Sequence, residues 1–197
     1  KSDIKKSMIK YFNRVVLKYL ETANDLFNLL IATGLKPYHP LSFERLDRYL
    51  SKRPITERDL IWGEFLRKSS GAGSPKKLVS WIENNDICGI DAKQAICAIN
   101  TLSWFLISND RLLRDRATRC IYIIGRLHPK VCFDATLRMF KENDPYITER
   151  MLAASYGVCM ALHRRPNNDE FVGLLLTFAK RVYSSFFKVG AKYVTTH

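Results

Sequence analysis

The residues best placed to do chemistry in this chain are two acid–arginine pairs. Asp110 with Arg116 and Asp144 with Arg150 recur 34 residues apart. Their segments read N-D-R-L-L-R-D-R and N-D-P-Y-I-T-E-R, with Asn109 or Asn143 before the Asp and a carboxylate, Asp115 or Glu149, before the Arg. Six residues past each arginine stands a tyrosine, Tyr122 or Tyr156. A guanidinium held at a fixed place in each copy can take a phosphate or an acidic ligand, or it can close an ion pair inside the protein. Ile55-Thr56-Glu57-Arg58 repeats Ile147-Thr148-Glu149-Arg150 letter for letter, without an Asp six residues ahead of its arginine.

Other reactive constellations are thin. Glu57 and Asp59 could supply carboxylates for acid–base work, but they sit at a helix start, where acids suit the dipole. Trp62, Trp81 and Trp104 could stack on bases, as in base-extruding glycosylases. Their apolar neighbours favour core packing instead. Gly71-Ala72-Gly73-Ser74-Pro75-Lys76-Lys77 is glycine-rich without the spacing of a P-loop. His39, His128, His163 and His197 are scattered, and neither H-E-x-x-H, C-x-x-C nor G-x-S-x-G is present. No catalytic residue, metal ligand or cofactor-binding residue is assigned, and the chain is expected not to be an enzyme.

A motif recurring at this period is the mark of stacked helical hairpins. Apolar residues at helical spacing mark helices over 4–33, 55–68, 78–82 and 92–107, with a short one capped by Ser42 that buries Leu46, Tyr49 and Leu50. Four more follow at about 111–127, 130–142, 145–163 and 168–187, joined by turns at His128-Pro129, Asn143-Asp144-Pro145 and Pro166-Asn167-Asn168-Asp169. Connections this short force successive helices to run antiparallel. No stretch alternates as a strand does. The expected fold is all-α, antiparallel hairpins stacked as a short α-solenoid. It divides into an N-terminal helical segment 1–70, a loop 71–77 and repeats over 78–197. The hairpins are 92–128 and 129–165, with a partial one from 168; the whole can equally be one continuous domain.

The charge of +13, from 32 Lys and Arg against 19 Asp and Glu, favours anionic partners. The basic residues are dispersed, however, which fits a solvated surface better than a binding stripe. The five cysteines are odd in number and lie mostly in apolar helical stretches, so free thiols in a reducing cytoplasm are expected. No apolar stretch reaches membrane-spanning length. The first residue is Lys rather than Met, and a fragment of a longer protein is expected.

Asp110 and Asp144 at helix starts should accept backbone N–H groups of the first turn. Each arginine lies nearly two turns further on, out of reach of its own Asp. The expected arrangement is a ladder, Arg116 or Arg150 reaching the Asp of the adjacent repeat, that sets the stacking of the hairpins. An Asp followed by Arg six residues on resembles HEAT repeats, although the residue before the arginine is acidic here where HEAT repeats favour Val.

A wider resemblance covers residues 39–162. Its blocks are His39-Pro40-Leu41-Ser42, Thr56-Glu57-Arg58-Asp59-Leu60-Ile61-Trp62, Leu102-Ser103-Trp104-Phe105-Leu106, Leu113-Arg114-Asp115-Arg116-Ala117-Thr118, and Asp144 through Ala154. In this order they resemble the helical-repeat sensor region of bacterial STAND-type antiviral ATPases (Avs-like proteins). The resemblance implies recognition of a phage protein, contact with other domains of the parent chain, and oligomerisation. ATP and Mg would bind only in parts of the parent chain outside this sequence. In HEAT-like arrays second helices line the concave face, which makes Arg119, Tyr122, Arg126, Tyr156 and Arg164 candidate partner contacts. The alternative is a basic helical-repeat protein that binds nucleic acid, in one form a glycosylase-like repair enzyme.

Overall fold

The computed structural model describes residues 6, 7, 10, 20–69, 73–142, 144–165 and 169–187. Every regular element among them is a helix. In chain order these are α1 (Leu20–Gly34), α2 (Phe43–Ser51) and α3, which runs through Ile55–Arg58, a π-helical stretch Asp59–Gly63, and Glu64–Lys68. Then come α4 (Ser74–Asn84), α5 (Ala92–Ser103) with a 3-10 turn Trp104–Ile107, α6 (Arg111–Leu127), α7 (Pro129–Met139), α8 (Pro145–Leu162) and α9 (Asp169–Phe187).

The helix starts follow from side chains that satisfy the free N–H groups of a first turn. Asp110 accepts from the backbone N–H of Leu112 at 2.9 Å and of Leu113 at 3.3 Å. Asp144 does the same for Tyr146 at 3.1 Å and Ile147 at 3.4 Å. Asp91 and Gln94 form a reciprocal capping box at the head of α5. Pro129 and Pro145 occupy first turns, where a missing N–H costs nothing. Ser42 stands at the head of α2 but its side chain makes no capping bond.

Helix contacts run through α2, α5, α7 and α9 in one series and through α4, α6 and α8 in another, with α6 also against α5 and α7, and α8 against α7. The core lies between the two series. The 34-residue period of the sequence reappears here as burial: Leu113 and Ile147, Ala117 and Met151, Cys120 and Ala154, Ile121 and Ser155, and Ile124 and Val158 are all buried. Two glycines allow α6 and α8 to approach. A Cβ on Gly125 would come within 2.7 Å of the Val158 side chain, and one on Gly157 within 3.0 Å of the Tyr122 ring.

Several boundaries differ from the sequence reading. Much of the N-terminal half of the predicted helix 4–33 lies outside the described residues; its C-terminal half lies in α1. The predicted loop 71–77 ends early, because α4 starts at Ser74 with Pro75 in its first turn. In α3 the π-helical stretch adds a residue and rotates the apolar face. Leu60 therefore turns outward at 72% exposure while Trp62 enters the core. The Trp62 indole donates to the Trp104 carbonyl at 2.7 Å, an oxygen beside the tightened 3-10 turn. The Trp104 indole in turn donates to Asp47 at 2.9 Å, which also takes a bond from Arg138 at 2.7 Å.

Candidate recognition face

The four residues of the expected ladder do different jobs from those assigned to them. Asp110 and Asp144 are helix caps, and neither is the partner of the other repeat's arginine. Arg116 reaches back from α6 to α4, donating to Glu83 at 2.6 Å and to the Ser80 hydroxyl at 2.8 Å. Arg150 reaches back from α8 to α6 and donates to Asp115 at 2.7 Å. The expected pairs Asp110–Arg150 and Asp144–Arg116 are thus replaced by Asp115–Arg150 and Glu83–Arg116. The cause is geometric. A capping Asp points along its own helix axis toward free N–H groups, whereas Asp115 projects sideways from α6 toward α8. The carboxylate just before Arg116, the very departure from the HEAT pattern, is the acceptor. Asp110 instead lies 3.6 Å from Lys76 of α4.

The third copy of the arginine lies elsewhere. Arg58 is buried on α3, with Nη1 3.4 Å from a Glu142 oxygen and its guanidinium 5.7 Å from the centre of the Trp104 ring. The Ser51 hydroxyl donates to the other Glu142 oxygen at 2.9 Å. Glu142, in the turn between α7 and α8, therefore ties both α2 and α3 to the second hairpin. Sequence reasoning missed Glu83, Ser80 and Glu142, since none shares a local pattern with its arginine.

With Arg58, Arg116, Arg138 and Arg150 engaged, α6 and α8 still present cations without a carboxylate. Among the described residues Arg119, Arg126 and Arg164 make no ion pair, and all three are exposed. Arg126 lies over the Tyr122 ring at 5.7 Å, a cation–π contact. Tyr122 is half-buried because its ring rests on Gly157, while Tyr156, one repeat later, is 66% exposed. The structure thus brings Arg119, Tyr122, Arg126 and Tyr156 to the neighbouring helices α6 and α8, and leaves Arg164 past the end of α8. Leu112, Tyr146 and Met160 add exposed apolar area to the same helices. The 34-residue period was the signal that could have found them, since Met160 matches Arg126 and Tyr146 matches Leu112.

A second feature is a groove of about 530 Å³ between α4 and α6, lined by Lys76, Lys77, Ser80, Trp81, Asn85 and Arg116. Trp81 is 49% exposed there, whereas Trp62 and Trp104 are buried with their N–H groups engaged. Stacking on a base is open to Trp81 alone of the three.

The cysteines show no nucleophile in waiting. Burial pushes the Cys120 and Cys132 thiols up to about 12 and Cys97 to about 11, far from thiolate chemistry at neutral pH. All five are free, and Cys88 is exposed. Among the described residues no group of three or more His, Cys, Asp or Glu is placed to hold a metal ion, and no helix is long and apolar enough to cross a membrane. The chain matches no protein-family model, no curated protein and no solved structure.

Proposed function

We propose that this chain is a non-catalytic recognition and regulatory array of HEAT-like hairpins, the sensor part of a bacterial anti-phage STAND ATPase. In this reading it works in the cytoplasm, binds a phage protein and passes that binding on to oligomerisation of its parent. The observation that carries it is the split among the arginines. Those at the repeat positions are used up within the protein, whereas Arg119 and Arg126 make no ion pair among the described residues and share α6 with Tyr122, Tyr156 lying on the neighbouring α8. Arginine and tyrosine are the types that anchor protein interfaces. The ordered sequence blocks from His39 to Ala154 supply the family part of the proposal, and the two hairpins α5–α6 and α7–α8 supply the array.

The test is affinity capture by the purified chain from phage-infected cells, followed by titration of the captured phage protein. An Arg119→Ala/Arg126→Ala/Tyr156→Ala variant should bind it at least about 100-fold more weakly, the loss of one to three interface anchors. Equal binding by the variant removes this face from the proposal.

The groove at Trp81 favours a second reading, nucleic-acid binding through Lys76, Lys77 and a stacked base. Phosphate contacts release counterions, so affinity would fall on the order of 10³-fold between 50 and 200 mM salt for six contacts. Tight binding of that salt dependence, lost in Trp81→Ala, would displace the protein-recognition reading.

A further inference from the structure

The contact between α6 and α8 describes what the outward side of α8 is built to receive. On α6, Asp115 and Tyr122 both meet α8, although the Asp115 side chain stays 43% exposed: Arg150 donates to Asp115 at 2.7 Å, and Gly157 lies beneath the Tyr122 ring. The residues one period later on α8 are Glu149 and Tyr156. Both are exposed, and Glu149 has no ion pair among the described residues. Tyr146 and Met160 extend the same stripe at helical spacing, also exposed. The next helix in the chain, α9, does not cover them. It packs on α7 through Phe133 and Phe178, whose rings stack at 4.2 Å.

We infer that the outward stripe of α8 docks a helix of another polypeptide that carries an arginine followed seven residues later by glycine or alanine. The arginine meets Glu149 as Arg150 meets Asp115, and the small residue admits the Tyr156 ring as Gly157 admits Tyr122. A larger residue would hold the two backbones apart, since even a Cβ meets the tyrosine at 3.0 Å in the internal case. A second copy of this chain cannot supply such a helix. Arg150 is the only arginine in residues 1–197 followed seven residues later by glycine or alanine, and both it and Gly157 are already occupied by α6. The inference rests on the α6–α8 packing and stands apart from any ligand of Arg119 and Arg126.

The probe is a labelled synthetic peptide of α8 itself, Pro145–His163, titrated into the intact chain by fluorescence anisotropy. It should bind saturably. Glu149→Arg in the protein should weaken it about tenfold, as expected when an ion pair becomes a like-charge contact. A peptide with Arg150→Glu should recover most of that loss against the same variant, and a peptide with Gly157→Leu should fail to bind. Glu149 is exposed, so its substitution leaves folding intact. Absence of binding overturns the inference. So does binding that ignores Glu149→Arg but is altered by Asp115→Ala, which would show the peptide displacing the chain's own α8. Tyr156 belongs to both readings, so the recognition reading is then judged by Arg119→Ala and Arg126→Ala alone, and those two arginines take no part here.

Discussion

Ile55-Thr56-Glu57-Arg58 and Ile147-Thr148-Glu149-Arg150 are the same four residues in two surroundings. Each lies at the start of a helix, directly after Pro54 in one and two residues after Pro145 in the other. Yet Arg58 is 3% exposed and shares Glu142 with Ser51 beneath the Trp104 ring, while Arg150 is 24% exposed and meets Asp115 on the side of α6. Local sequence sets where on a helix an arginine sits. The neighbouring helix decides whether it becomes a buried ion joining the N-terminal segment to a hairpin turn, or a half-open rung between two repeats.

The largest way to break this comparison is to remove the buried member. Arg58→Ala strands Glu142 in a half-dry site and should cost about 3 kcal/mol, whereas Arg150→Ala should cost about 1 kcal/mol or less, as for an exposed pair. Urea unfolding of the two variants measures both; equal losses would mean that burial does not separate them.

Next come the glycines that set the α6–α8 distance. Gly125→Ala drives a methyl into Val158 and Cys132, both buried, and should cost about 1–3 kcal/mol. Gly157→Ala meets only the ring of half-exposed Tyr122, which can swing outward, and should cost under about 1 kcal/mol. The reverse order would place the tight contact on the wrong side of the pair.

Asp144 offers a smaller, pH-dependent effect. Burial raises its carboxyl above the ordinary value, against the pull of the Ile147 N–H, Arg58 and the Tyr146 N–H. The folded state then holds a proton that the unfolded chain has already released. The stability this gives at low pH is lost as pH climbs from the usual carboxylate range through the raised value. Asp144→Asn keeps a capping oxygen and should flatten that part of the stability profile. A slope unchanged by the substitution would belong to another group. The smallest effects are expected for Arg119→Ala and Arg126→Ala, each within about 0.5 kcal/mol of the parent, because neither guanidinium meets a carboxylate among the described residues.

Much of this was legible in the sequence because it depends on neighbours along one helix. The all-helical class, the caps at Asp110 and Asp144, and the buried positions of α6 and α8 follow from capping chemistry and period. The arginine partners were not legible. Glu83, Asp115 and Glu142 meet their arginines across helix pairs, at separations that depend on crossing geometry rather than spacing. The π-helical stretch in α3 was hidden for a similar reason: nothing in the residue spacing marks the extra residue that turns Leu60 outward beside buried Trp62. Of the candidate contacts, the sequence placed Arg119, Tyr122, Arg126 and Tyr156 on one pair of helices. That Tyr122 rests on Gly157 while Tyr156 is exposed could be seen only with both helices in place.

The repeated arginines join neighbouring helices through sideways carboxylates, leaving the capping acids out of the ladder. A double-mutant cycle on Asp115→Asn and Arg150→Gln, measured by urea unfolding, tests it most directly. A coupling of about 0.5–1 kcal/mol is expected for this pair, with additivity for the parallel cycle on Asp110→Asn and Arg150→Gln. Additivity between Asp115 and Arg150, or coupling that appears with Asp110 instead, would contradict it.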